Sequence, residues 1–209
     1  MLIDIDHMSD ISKNETITIA EAQSVGNGPS RISGYPLNSG HAGLRGFFAP
    51  GTGRSPSDVN ERSMSSAQYS AISRLHGMAG IGSANVNAYE WADSYQHVIA
   101  AMGNPSMASS GAVGAFGTDT DGLAMGMGRR PGSSVRYSSS FPMSGLGTKT
   151  WNYNTDGVAH YGMLWDFLED VKTSTAPKGN DLVENNLMNG AEYFFQTWKK
   201  CEALKTSIK

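Results

Sequence analysis

Apolar positions recur along the chain in two alternating rhythms, short runs and stripes at helical spacing. Leu2 to Ile5 predicts a first strand, and Ile11 to Gln23 a helix whose apolar positions Ile11, Ile19 and Ala22 suit that spacing only loosely. Tyr35 to Asn38 predicts a second strand. Ser65 to Leu75 then reads as a helix, closed by Gly77 as its C-cap glycine. Met78 to Ser83 and Ala112 to Thr118 predict the third and fourth strands, with the clearest middle helix, Tyr89 to Met102, between them. The final third predicts two helices, His160 to Val171 and Asp181 to Ala203. Leu164, Phe167, Leu168 and Val171 form one apolar stripe, and Leu187, Phe194, Phe195 and Trp198 the other.

Strand and helix in strict alternation predict parallel strands joined by helical crossovers, hence the α/β class. Three stretches interrupt the rhythm: Gly40 to Asn60, Gly103 to Gly111 and Gly122 to Asp156. They hold many of the 25 glycines and show little helix or strand pattern. A chain of 209 residues suits one core, so residues 1–209 are read as a single domain.

Composition narrows the function classes. A net charge of -3, without any cluster of lysine and arginine, excludes nucleic acid and anionic membrane surfaces as expected partners. No apolar run approaches the roughly 20 residues that span a bilayer, and no basic region precedes Leu2. The expectation is a soluble chain without an export signal, in the cytoplasm. Cys201, the single cysteine, cannot form an internal disulfide and reads as a small buried hydrophobe on a helix.

In parallel α/β sheets the chemistry collects where the strands end, because the βα loops and helix N-termini converge there. The predicted strands end in Asp6-His7, in Asn38-Ser39-Gly40-His41, in Ser83 to Asn87, and in Gly117 to Gly122 around Asp119. Neighbouring strands lie about 4.8 Å apart, so His7 and His41 can share one site. Two neutral imidazoles with a carboxylate such as Asp119 suit zinc or another divalent ion able to acidify a water. A single histidine at a strand end is more often a hydrogen-bonded structural residue. Two of them, with an acid on a third strand, favour a site.

The remaining polar candidates carry weaker expectations. Asp4 is read as structural and Asp6 as an acceptor that could orient a ligating imidazole. His76 complements a helix C-terminus, and His97 lies on a helix surface. His160 could reach the mouth of a site as a substrate contact or simply pack. The stretch from Gly122 to Asp156 is longer than irregular loops usually are. It is expected to be either a lid offering Arg129, Arg130, Arg136, Tyr137, Phe141 and Trp151 to a substrate, hinged at Met125 to Gly128, or a solvated surface loop.

The succession "LIDIDHMS", "YPLNSGHAG", "NERSMSSAQYSAI", "GAFGTDTDGL" and "NNLMNGAEYFFQTW" resembles the second half of the membrane (renal-type) dipeptidases of the amidohydrolase superfamily. That resemblance implies part of a (β/α)8 barrel, with four of its eight strands in this chain, and hydrolysis of a dipeptide or related amide. By position it implies His7 and His41 as metal ligands, Arg62 as the grip on a substrate carboxylate, and Asp119 as the group that handles the proton of the attacking water. Guanidinium pairs bidentately with carboxylate, and a carboxylate can act as base and then acid, so the roles are chemically sound. The family's His-x-Asp strand and metal-bridging glutamate have no counterpart here. Open strand edges then imply self-association or a second chain carrying the missing strands. Two functions follow as expectations: a zinc-dependent hydrolase of small peptide-like substrates, or a non-catalytic half-barrel used for assembly or binding.

Overall fold

The structure, a computed structural model, describes residues 1–25, 32–46, 61–82, 87–103, 113–118, 127–129, 131–132, 134–174 and 186–205. Four strands, β1 (Ile3–Asp4), β4 (Leu37–Ala42), β5 (Met78–Ile81) and β6 (Val113–Phe116), form one sheet in the order β1-β4-β5-β6, every pair parallel. Helices α1 (Asp10–Ala22), α2 (Ser66–Arg74) and α3 (Ala88–Ala101) connect them. A two-stranded antiparallel ladder, β2 (Ser24–Val25) with β3 (Ile32–Ser33), sits between α1 and β4. The class is α/β, as the alternation predicts. Among the described residues β1 and β6 each have a single neighbour, so the sheet is open at both sides.

Local sequence starts the helices cleanly. Ser65 and Gln68 form a capping box on α2, and Asn87 with Glu90 forms another on α3, each satisfying two N-terminal amides reciprocally. The buried face of α3 then brings Trp91, Tyr95 and Val98 against the sheet. Trp91 packs edge-on against Phe116 at 5.0 Å and against Phe167 at 5.7 Å between ring centroids. Edge-to-face pairs of this kind contribute roughly 0.5–1.5 kcal/mol beyond area burial, and they tie β6 and α3 to helix α5 (Leu164–Ser174).

Several boundaries and faces differ from the sequence reading. The second strand runs Leu37–Ala42 rather than stopping at Asn38, so His41 lies within it. Helix α1 buries Lys13, Ile17 and Ala20, and it leaves Ile11 and Ile19 exposed. The Lys13 ammonium escapes the usual cost of burial by donating to the Glu61 carbonyl oxygen. Helix α6 (Gly190–Lys205) buries Tyr193, Thr197, Cys201 and Leu204, while Phe194, Phe195 and Trp198 of the expected stripe face outward. That helix is apolar on two sides, and packing against β5 and β6 selects the other one.

The helix C-cap also differs. His76, not Gly77, adopts the left-handed conformation, with φ 57°. His76 N–H bonds Ser73 O at 3.0 Å and Gly77 N–H bonds Ile72 O at 2.9 Å, a Schellman motif with histidine in the position glycine favours. Gly77 is required by space instead.

The stretch expected to be irregular contains a hairpin, β7 (Gly145–Leu146) with β8 (Lys149–Thr150), and a short helix, α4 (Tyr153–Asp156). Met127, Val135, Tyr153 and Val158 are buried, and the Tyr153 hydroxyl lies between Gly128 O at 3.0 Å and Asp170 Oδ2 at 3.1 Å. The Tyr153 end of the stretch is therefore packed onto α5, while both strands of the hairpin are exposed. Among the described residues no helix is long and apolar enough to cross a membrane.

Candidate metal centre

β1 hands directly over to a tight turn. Ile5 N–H still donates to Asn38 O at 2.9 Å, and Asp6 N–H closes back onto Asp4 Oδ1 at 2.8 Å. His7 follows in the left-handed region, with φ 60°, a conformation that costs a non-glycine residue roughly 1–2 kcal/mol. Ser9 then caps α1 through its side chain, accepting from Ser12 N–H. The turn leaves the His7 ring facing β4.

His41 arrives from the other side through an irregularity in β4. Ser39 pairs with Ala79 and Ala42 with Ile81, so three steps along β4 match two along β5. One extra residue bends the strand and re-aims its side chains. Glycines make the bulge possible: a Cβ at Gly80 or at Gly117 would lie 2.0 Å from Gly40 O, and one at Gly82 would lie 2.3 Å from His41 O.

The two imidazoles meet nitrogen to nitrogen. Nε2 of His7 and Nε2 of His41 are 2.8 Å apart, with ring centroids 4.9 Å apart and planes inclined at 45°. Asp6, its side chain 5% exposed, accepts His41 N–H on Oδ2 at 2.6 Å and Ser39 Oγ–H on Oδ1 at 2.6 Å. His41 Nδ1 lies 3.3 Å from that same Oδ2. Beneath this, Asn38 Nδ2 donates to Asp4 Oδ2 at 2.6 Å.

A tetrahedral zinc with bonds of about 2.0–2.1 Å spaces two nitrogen ligands about 3.3 Å apart, so the rings need move only about half an ångström to hold one ion. The donor set therefore suits a divalent ion: two convergent imidazole nitrogens, one ring backed by a carboxylate. Among the described residues no group of three or more His, Cys, Asp or Glu side chains converges.

The other sequence candidates fall as follows. Asp119 lies outside the described residues, as does Arg130. Arg62 is exposed on the turn entering α2, within the connection that follows His41. That connection is pinned at both ends. Arg45 pairs bidentately with Asp10 and donates to Ser63 O at 2.8 Å, Leu44 bridges Met64, and Lys13 holds Glu61 O. The Arg45 guanidinium holds the Asp10 carboxyl below the usual carboxylate range, and burial pulls the Lys13 ammonium down. Sequence reading missed this cluster; an acid in the first turn of α1 was its only local sign.

His160 is fully engaged elsewhere. Its Nδ1 accepts Gly162 N–H at 3.1 Å, its Nε2 meets Ser144 Oγ at 3.2 Å, and Trp151 packs edge-on at 6.0 Å. The Gly162 bond leaves the ring proton on Nε2, so His160 donates to Ser144 and cannot serve as its base. His97 bonds Asp93 O on the surface of α3, as expected of a helix-surface histidine.

A crystal structure of an amidohydrolase from Pseudomonas aeruginosa aligns with the chain at a TM-score of 0.54 and 13% sequence identity, over 95% of this chain and 53% of that one. The fold is amidohydrolase-like. The chain spans about half the length of that protein, as a partial barrel of four parallel strands does. No protein-family model and no curated protein matches the sequence. In this amidohydrolase-like frame His7, in the turn after β1, and His41, near the end of the adjacent β4, meet at the carboxyl edge of the sheet, where α/β folds place their ligands.

Proposed function

We propose that the chain carries part of the metal centre of an amide hydrolase acting on dipeptides or similar small amides. The observation that carries this reading is the 2.8 Å approach of the His7 and His41 Nε2 atoms at the carboxyl edge of a parallel sheet. The likeness of fold to an amidohydrolase supports it, and the sequence resemblance to renal-type dipeptidases supplies the substrate class.

His7 and His41 hold the ion, zinc in the first instance. When bound, the ion supplies Lewis acidity and lowers the pKa of water at the site. Arg62 pairs with the carboxylate of the substrate and fixes its orientation. Asp119 accepts a proton from the attacking water and returns it to the leaving amine nitrogen. His160 keeps a packing role beside Ser144 and Trp151. The open edge of β1 takes a further strand, from a second copy or another segment, that completes the ligand shell.

A second reading draws on the same open edges: a half-barrel that assembles with another chain without catalysis. Assay of dipeptide hydrolysis in zinc-containing buffer separates the two. Turnover that is lost in His7→Ala supports the hydrolase; absence of turnover for every dipeptide, from protein that binds a partner chain, supports the module.

A further inference from the structure

We infer that the outward face of α6 is a self-association surface, on which α6 of a second copy of this chain lies antiparallel. One face of the helix, with Tyr193, Thr197, Cys201 and Leu204, is buried against the molecule. The other leaves Phe194, Phe195 and Trp198 exposed at 44%, 50% and 46%. Phe194 and Trp198 stand one helical turn apart with ring centroids 6.4 Å from each other, and Phe195 lies beside them, so the three rings form one stripe. Aromatic side chains bury about 150–250 Å² each when fully covered, so half-exposure leaves roughly 300 Å² of ring surface in water, the size of the largest and often functional patch on a monomer.

Charge selects the occupant. Glu192 and Lys199 flank the stripe one heptad apart, hence on the same side of it. Both are held over the helix surface: Lys199 Nζ sits 4.4 Å above the Phe195 ring, and Gln196 Nε2 donates to Glu192 Oε1 at 3.1 Å. A two-fold axis through the middle of the stripe, between Phe195 and Gln196, turns a second α6 antiparallel and brings the same flank of both helices together. Glu192 and Lys199 are equally distant from that point. Each Glu192 therefore stands beside Lys199 of the second copy, giving two opposite-charge pairs around paired aromatic stripes. A parallel pair sets the charged flanks on opposite sides and gains nothing from them.

The stripe is smaller than the roughly 800 Å² that each partner contributes to a stable interface, so the dimer is a weak, reversible one. The inference takes nothing from the hydrolase reading, and it does not use the open edges of the sheet.

Sedimentation velocity of the purified chain over a range of roughly 1–200 μM, spanning the regime of weak interfaces, tests it. The expected result is a monomer–dimer equilibrium that Phe195→Glu abolishes while circular dichroism stays at wild type. Glu192→Lys and Lys199→Glu should each weaken the dimer about tenfold, because each turns two attractive pairs into two repulsive ones. The double variant carrying both changes restores the pairs in reversed sense and should recover most of the loss. A wild-type chain that stays monomeric throughout overturns the inference. So does a dimer that survives Phe195→Glu, the outcome of pairing through the sheet edges, or a double variant no tighter than the single ones. If Phe195→Glu does not fold, the charge exchange at the two exposed positions still decides. Zinc uptake and dipeptide turnover by the monomeric Phe195→Glu chain test the hydrolase reading separately.

Discussion

Gly77 lies so close to Leu37 that a Cβ on the glycine would stand 1.9 Å from the leucine carbonyl oxygen and 3.0 Å from its carbonyl carbon. This contact sets how α2 feeds β5 against β4, the strand that carries His41. Both partners are backbone, so no side chain can swing away. Gly77→Ala is expected to cost ~3 kcal/mol and to lower the melting temperature by about 6 °C or more. Thermal unfolding followed by circular dichroism measures it; an unchanged midpoint would mean the strands sit farther apart.

His76 predicts the opposite sign. It holds φ 57° at the left-handed position of a Schellman motif, where glycine has no Cβ penalty. His76→Gly should raise stability by about 1 kcal/mol, or about 2–4 °C in melting temperature for a chain of this size. A loss of stability would show that the imidazole makes contacts worth more than the strain.

Asp10 and Arg45 make stability depend on acid. The guanidinium keeps the folded carboxyl ionised to lower pH than in the unfolded chain. A lowered folded pKa gives stability that is fully present above the unfolded value and is lost as pH falls through the folded one. Urea unfolding should therefore place Asp10→Asn about 1 kcal/mol below wild type at pH 7. The two curves should draw together as pH falls below the unfolded carboxylate value and through the lower folded one. A difference that persists undiminished in acid would contradict the pairing.

His7 sits at φ 60°, and relief of that strain offsets the loss of one exposed hydrogen bond. The strain is worth roughly 1–2 kcal/mol and the bond about 0.5–1.5 kcal/mol. His7→Gly should thus leave the melting temperature at or slightly above wild type while zinc uptake falls. Strong destabilisation would instead make the imidazole pair a structural device.

The alternation of strands and helices was legible because buried parallel strands and amphipathic helices differ in period. Faces were harder to read. Lys13 is buried only because the Glu61 carbonyl, 48 positions away, receives its ammonium, and no local pattern announces such a partner. On α6 both the Tyr193 face and the Phe194 face satisfy helical spacing, so only the packed neighbours choose between them. At the site, His7 and His41 stood out as polar ends of apolar runs. The bulge that brings them together depends on Gly80 and Gly117, whose meaning is a distance to Gly40 rather than a turn.

The central claim is that His7 and His41 together hold one ion. Equilibrium dialysis of the purified chain against zinc, with metal analysis of wild type, His7→Ala and His41→Ala, tests it most directly. The account predicts about one zinc per chain in wild type and a clear loss in both variants. Wild-type protein that takes up no zinc, or variants that bind it equally well, would contradict it.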